Sequence, residues 1–176
     1  PRQHRPFALL APQLAARSIT LMAPSKTYNI PGLGASFAVI PDAGLRRRFT
    51  GVMRGIVPEP NVLGLVAAEA AYVEGADWHR QLLAVLCRNR DRVEAAVAAL
   101  APLAMTHVEA TYLAWIDARG LGTTDPVAWF EAAGVGLSNG GDFGLPGWVR
   151  LNFGCPAATL DAALARIAAA IERVSA

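Results

Sequence analysis

The stretch Ser18–Leu33 constrains this chain more than any other, because an apolar run, a proline and a lysine follow one another in it without a gap. Ser18-Ile19-Thr20-Leu21-Met22 predicts a short buried strand, and Pro24 ends it because proline has no N–H to give a ladder. Lys26 follows at once. Hydroxyls on Ser25, Thr27 and Tyr28 flank it, and turn-forming Asn29, Pro31 and Gly32 come next. Most lysines in such surroundings are solvated loop residues. A lysine held partly desolvated at the mouth of a strand is different: desolvation disfavours the ammonium and frees the amine to attack a carbonyl.

Composition decides what else is excluded. The chain has 176 residues, enough for one domain or two with a good core; 53% are hydrophobic and 17% charged. With a mean hydropathy of +0.32 it is not intrinsically disordered. So low a charged fraction predicts apolar surface that something else covers. A net charge of +2 is too small to argue for nucleic acid or a membrane surface as partner. Cys87 and Cys155 lie far apart with no CxxC, as reduced thiols in a cytoplasmic protein would. No apolar stretch approaches a membrane span, and Pro1-Arg2-Gln3-His4-Arg5 leads into no signal-peptide core. The absence of a starting methionine is what a cut or processed chain would show.

Taken in order, Pro12–Ala16 predicts one helical turn and Gly34–Ile40 a strand ended by Pro41. Gly32-x-Gly34-x-x-Phe37 is a near miss to a dinucleotide fingerprint; it lacks the third glycine and runs into Pro41 instead of opening a helix. Asp42 predicts a helix cap, with the helix reaching Met53 and Arg46, Arg47 and Arg48 as ordinary surface in its middle. After Pro58-Glu59-Pro60, Asn61 caps a helix to about Glu74. Asp77 caps another that runs to about Leu100, with Leu82, Leu83, Leu86, Val93 and Val97 at helical spacing. His79 and His107 have no second ligand at metal spacing, so no metal site is expected. Pro102 marks the predicted domain boundary. Beyond it come a strand in Thr111–Asp117, a helix opened by Asp125-Pro126, a strand in Gly134–Ser138 and a glycine-rich loop from Asn139 to Gly147. A further strand covers Trp148–Phe153, and a helix capped by Thr159 follows, its stripe formed by Leu160, Leu164, Ile167, Ile171 and Val174.

Arg150 is the second candidate. Alternation puts Val149, Leu151 and Phe153 on a packing face and Trp148, Arg150 and Asn152 on the other. A sheet-surface arginine is the ordinary case. A guanidinium held beside an aromatic ring and an amide is suited to two-pronged capture of a carboxylate.

The residue order of both segments resembles one family. Ala23-Pro24-Ser25-Lys26-Thr27 and Asn29-Ile30-Pro31-Gly32-Leu33 closely resemble the lysine motif of fold-type I pyridoxal-phosphate enzymes, specifically the MalY/PatB-type carbon–sulfur lyases; Tyr28 stands where that branch usually has Phe or Trp. Trp148 through Pro156 resembles the branch's Arg-Leu-Asn-x-Gly/Ala-Cys-Pro motif. His4-Arg5-Pro6-Phe7, Thr111–Asp117 and the Phe143-Gly144 loop match as well, with Asn139 in place of a commoner proline.

The resemblance implies an α/β, fold-type I transferase-like chain. Residues 1–101 would be the C-terminal portion of a large cofactor-binding domain with an interdomain helix, and 102–176 a small C-terminal α+β domain. It implies pyridoxal 5'-phosphate as cofactor, Lys26 as its Schiff-base lysine and Ser25 as a phosphate ligand. Arg150 would take the substrate's α-carboxylate, with Asn152 beside it. The implied activity is β-elimination on sulfur-containing amino acids by a cytoplasmic homodimer, with no nucleic-acid or membrane partner. An aminotransferase of the same fold, or a truncated non-catalytic interaction module, are the alternatives. Many such aminotransferases have a hydroxyl three residues before the lysine and an arginine eight after it; Ala23 and Gly34 stand there, which favours the lyase. Family members are about twice this long, and what matches is their C-terminal half.

Overall fold

A computed structural model describes residues 4–175, with side chains through Arg173. Pro1-Arg2-Gln3 and the side chain of Val174, both used in the sequence reading, lie outside the described residues. The chain divides into two compact units, Pro1–Gln81 and Leu82–Ala176.

In the first unit a 3-10 turn at Phe7–Leu9 precedes a single helical turn, α1 (Pro12–Ala15), as Pro12 predicts. Strand β1 (Thr20–Met22) leads straight into α2 (Pro24–Thr27), and β2 (Phe37–Val39) returns antiparallel to β1, pairing Thr20 with Val39 and Met22 with Phe37. The expected burial of β1 is not met within this chain: Leu21 is 70% exposed and Met22 45%. A strand is buried only when layers cover both faces, and a two-stranded ladder brings none of its own.

Helix α3 (Ala43–Met53) starts where expected because the Asp42 Oδ1 accepts the Leu45 N–H at 2.6 Å. Arg46 folds back so that its Nη1 donates to the Ile40 carbonyl at 2.7 Å, while Arg47 and Arg48 are exposed. Helix α4 (Val62–Glu74) is capped in the same way by Asn61, which accepts from Gly64 N at 2.8 Å. Asp77 is not a cap. Gly75 keeps a near-helical conformation and accepts the His79 N–H at 2.9 Å, so α5 (Ala76–Ala99) begins before Asp77, which pairs instead with Arg80 at 2.8 Å.

The second unit holds most of α5 and an antiparallel sheet in the order β3 (Ala104–Met105), β4 (Leu113–Asp117), β6 (Trp148–Asn152), β5 (Ser138–Asn139). Helices α6 (Pro126–Ala132) and α7 (Ala157–Ser175) complete it. Ala114, Ile116, Val149, Leu151 and Phe153 are all buried. They form one core with Val93 and Val97 of α5, Phe130 of α6, and Leu160, Ile167 and Ile171 of α7. Asp125 caps α6 through the Ala128 N–H at 3.0 Å.

Three expectations change in this unit. Strand β3 was not anticipated, being too short to carry a period. The strand expected over Gly134–Ser138 pairs only at Ser138–Asn139, because Gly134, at φ +78°, is spent ending α6. Thr159 lies inside α7 and not at its cap; its N–H already bonds the Pro156 carbonyl at 3.0 Å.

Candidate functional site

Lys26 occupies the third position of α2, a helical turn that Pro24 opens by pre-setting its backbone angle. Pro24 is buried, and its carbonyl accepts the Tyr28 N–H at 2.8 Å, while the Ser25 carbonyl accepts the Ile30 N–H at 3.0 Å. Asn29 takes the left-handed conformation (φ 55°) that lets the chain turn out of α2, a geometry asparagine tolerates.

Two clamps then fix the turn within the first unit. The Tyr28 ring packs edge-on to Tyr72 (centroids 5.6 Å apart) and against His79 (5.5 Å) and Trp78 (6.3 Å). Farther along the chain, Asn61 Nδ2 donates to the Leu33 carbonyl at 2.9 Å, and Gly64 lets that carbonyl approach so closely that any Cβ would strike it. Lys26 itself is exposed and Ser25 half-buried, and neither side chain has a hydrogen-bond partner among the described residues. The partial desolvation anticipated for Lys26 is therefore not supplied by the first unit.

Arg150 lies in β6 on the sheet face opposite the core, in a cross-strand row with Ser138 of β5 and Trp115 of β4. Its Nη2 donates to the Ser138 Oγ at 3.1 Å, and its Cζ stands 4.5 Å from the centroid of the Phe143 ring. Phe143 meets Trp115 edge-to-face at 5.7 Å, Trp115 stacks on Trp148 at 6.3 Å, and Arg119 lies over Trp148 at 5.7 Å. The two arginines differ in charge balance. Arg119 forms a two-pronged pair with Asp117 (2.9 and 2.7 Å), which holds the Asp117 carboxyl below its ordinary value, although burial works against this. Arg150 has no carboxylate partner among the described residues.

Asn152 is on the same face, and its Oδ1 accepts the Gly154 N–H at 2.8 Å, closing a turn. A residue the sequence reading passed over holds the next stretch. Asn89 of α5, only 1% exposed, donates from Nδ2 to the carbonyls of Phe153 and Cys155, both at 2.9 Å. A lone amide in an apolar helical stripe was the available signal. Burial pushes the Cys155 thiol above its ordinary value, which disfavours the reactive thiolate. Among the described residues no group of His, Cys, Asp and Glu could hold a metal ion, and no helix is long and apolar enough to cross a membrane.

Residues 7–167 match the family model described as aminotransferase class I and II. Cystathionine beta-lyase PatB of Bacillus subtilis (strain 168) is 36% identical over 176 residues, spanning 96% of this chain and 46% of its own length. The crystal structure of OvoB superposes with a TM-score of 0.94 at 50% identity, covering 97% of this chain and 45% of that one. Cystalysin from Treponema denticola, whose crystal structure contains a pyridoxal 5'-phosphate cofactor, superposes with a TM-score of 0.89 at 30% identity over 98% of this chain and 46% of its own. The chain thus spans somewhat under half the length of these relatives.

Proposed function

This chain belongs to the class I and II aminotransferase family, and on that basis we propose that it is part of a pyridoxal-phosphate-dependent carbon–sulfur lyase, acting by β-elimination on cystathionine- or cysteine-type amino acids and consuming one water to release a thiol, pyruvate and ammonia. Lys26 carries the reading: a primary amine in a turn held through Tyr28 and Leu33, with no acidic partner among the described residues. The donor set suits the cofactor, with an amine at Lys26 for its aldehyde and, beside it, the Ser25 hydroxyl for its phosphate. Bound pyridoxal phosphate supplies the electron sink that makes loss of an α-proton feasible. The chain's own residues do the rest of what is proposed here. Lys26 Nζ holds the cofactor and moves the substrate's Cα proton. Arg150 receives the α-carboxylate on its unpaired guanidinium, and Asn152 offers its Nδ2, since its Oδ1 serves the Gly154 turn.

The same reading takes the complete enzyme as a cytoplasmic homodimer in which residues 1–101 belong to a large cofactor-binding domain and 102–176 to a small one. The relatives named as lyases support β-elimination over transamination, as do Ala23 and Gly34 beside the lysine. The test is borohydride reduction of the cofactor-loaded full-length protein followed by peptide mapping. Pyridoxyl should be found on Lys26, and the unreduced protein should release pyruvate from L-cystathionine. Label on another lysine would overturn the assignment.

A further inference from the structure

We propose that Ser138 and Phe143 are positioning residues that hold the Arg150 guanidinium in a carboxylate-receiving orientation without neutralising it; this rests on the role given to Arg150 above. Three observations within the second unit carry the idea. Ser138 is the residue directly opposite Arg150 in the β5–β6 ladder, so the sheet itself sets where its side chain starts. That hydroxyl takes a single N–H, from Nη2, at 3.1 Å. A guanidinium has five N–H donors, and one bond to a neutral acceptor leaves enough of them for a two-pronged contact. The Arg150 Cζ meanwhile lies over the Phe143 ring, 4.5 Å from its centroid. The ring attracts the cation through its quadrupole without offering it a counter-charge.

Arg119 is the internal control. It reaches the same aromatic row, yet its two-pronged bond to Asp117 uses the edge and the charge that a substrate carboxylate would need. Position 138 thus governs whether Arg150 stays available. A hydroxyl steers it, a methyl group would release it, and a carboxylate would occupy it as Asp117 occupies Arg119.

The experiment uses the full-length, cofactor-loaded protein and L-alanine, an amino acid with no leaving group, as the binding probe. Ser138→Ala should weaken L-alanine binding about three- to tenfold, as expected for one hydrogen bond that orients a charge, and should raise the KM for L-cystathionine more than it lowers kcat. Ser138→Thr, which restores the hydroxyl, should recover most of the affinity, and Ser138→Asp should bind L-alanine worse than Ser138→Ala. In an Arg150→Lys background, Ser138→Ala should add nothing further. Unchanged binding in Ser138→Ala, or an effect just as large without Arg150, would overturn the positioning role. The reaction is judged separately. Wild-type protein that binds L-alanine but releases no pyruvate from L-cystathionine would sink the lyase reading and leave this comparison intact; wild-type protein that does not bind L-alanine would sink both.

Discussion

Arg119 and Arg150 flank one aromatic row, and of the two Arg119 alone has a carboxylate partner among the described residues. Replacing Arg150 by lysine keeps the charge and loses the planar fork, so amino-acid binding should weaken by about 1.5–3 kcal/mol while cofactor binding changes far less. Titration with L-alanine against cofactor loading separates the two, and an unchanged amino-acid affinity would mark Arg150 as ordinary surface.

Glu94 shows the other use of charge. Burial alone would raise its carboxyl, but the Val108 N–H at 3.0 Å, the His107 ring at 3.0 Å and Arg90 together hold it below its ordinary value. A carboxyl depressed in the folded state stabilises fully above its unfolded pKa, and that contribution is lost as pH falls through the folded value. Thermal unfolding from neutral pH down to about pH 3 should therefore show a steeper loss for the wild type than for Glu94→Gln, which cannot ionise. Parallel curves would mean that Glu94 contributes nothing through its charge.

At the scale of elements, the lysine turn depends on helix α4 as much as on its own sequence. Gly64 is buried, and the Leu33 carbonyl rests where a side chain would begin. A backbone carbonyl cannot swing aside as the end of a flexible side chain can, so Gly64→Ala must move the segment that follows Lys26. The expected outcome in the full-length protein is a loss of about 1–3 kcal/mol in stability together with a lower fraction of cofactor-loaded lysine, read from denaturant midpoints and from the absorbance of the bound cofactor. Gly51, which has nothing within reach of an added Cβ, is the matched helical control and should be near neutral. If both variants load cofactor equally, the clamp is irrelevant to Lys26.

For the whole molecule, the two units differ in what they bury. The core lies almost wholly in the second unit, while in the first Leu21, Phe37, Val39, Val62, Leu65 and Tyr72 remain exposed. Apolar patches of that extent seldom stay open on monomeric proteins, and the relatives are more than twice as long as this chain. Expressed as these 176 residues alone, the chain should self-associate and release no pyruvate from L-cystathionine. Limited proteolysis should spare a fragment that starts within α5, because Val93 and Val97 are core residues of the second unit. Light scattering that finds a monodisperse monomer, with lyase activity, would refute this.

Local chemistry made part of this fold legible from the order of residues alone. Asp42, Asn61 and Asp125 announce helix starts because a short polar side chain meets the N–H three residues on. The alternation Val149, Leu151, Phe153 sorted the faces of β6 because side chains in a strand point to alternate sides. The order of residues around Lys26 and Arg150 marked both candidates. Features that depend on neighbours distant in the chain emerge from the packing. Asp77 and Thr159 read as caps, but helical bonding had begun before either. Asn89 had no visible purpose until the Phe153 and Cys155 carbonyls, more than sixty residues away, were placed against it. The burial expected for β1 belongs to whatever layers cover a strand, and no residue within the strand can specify them.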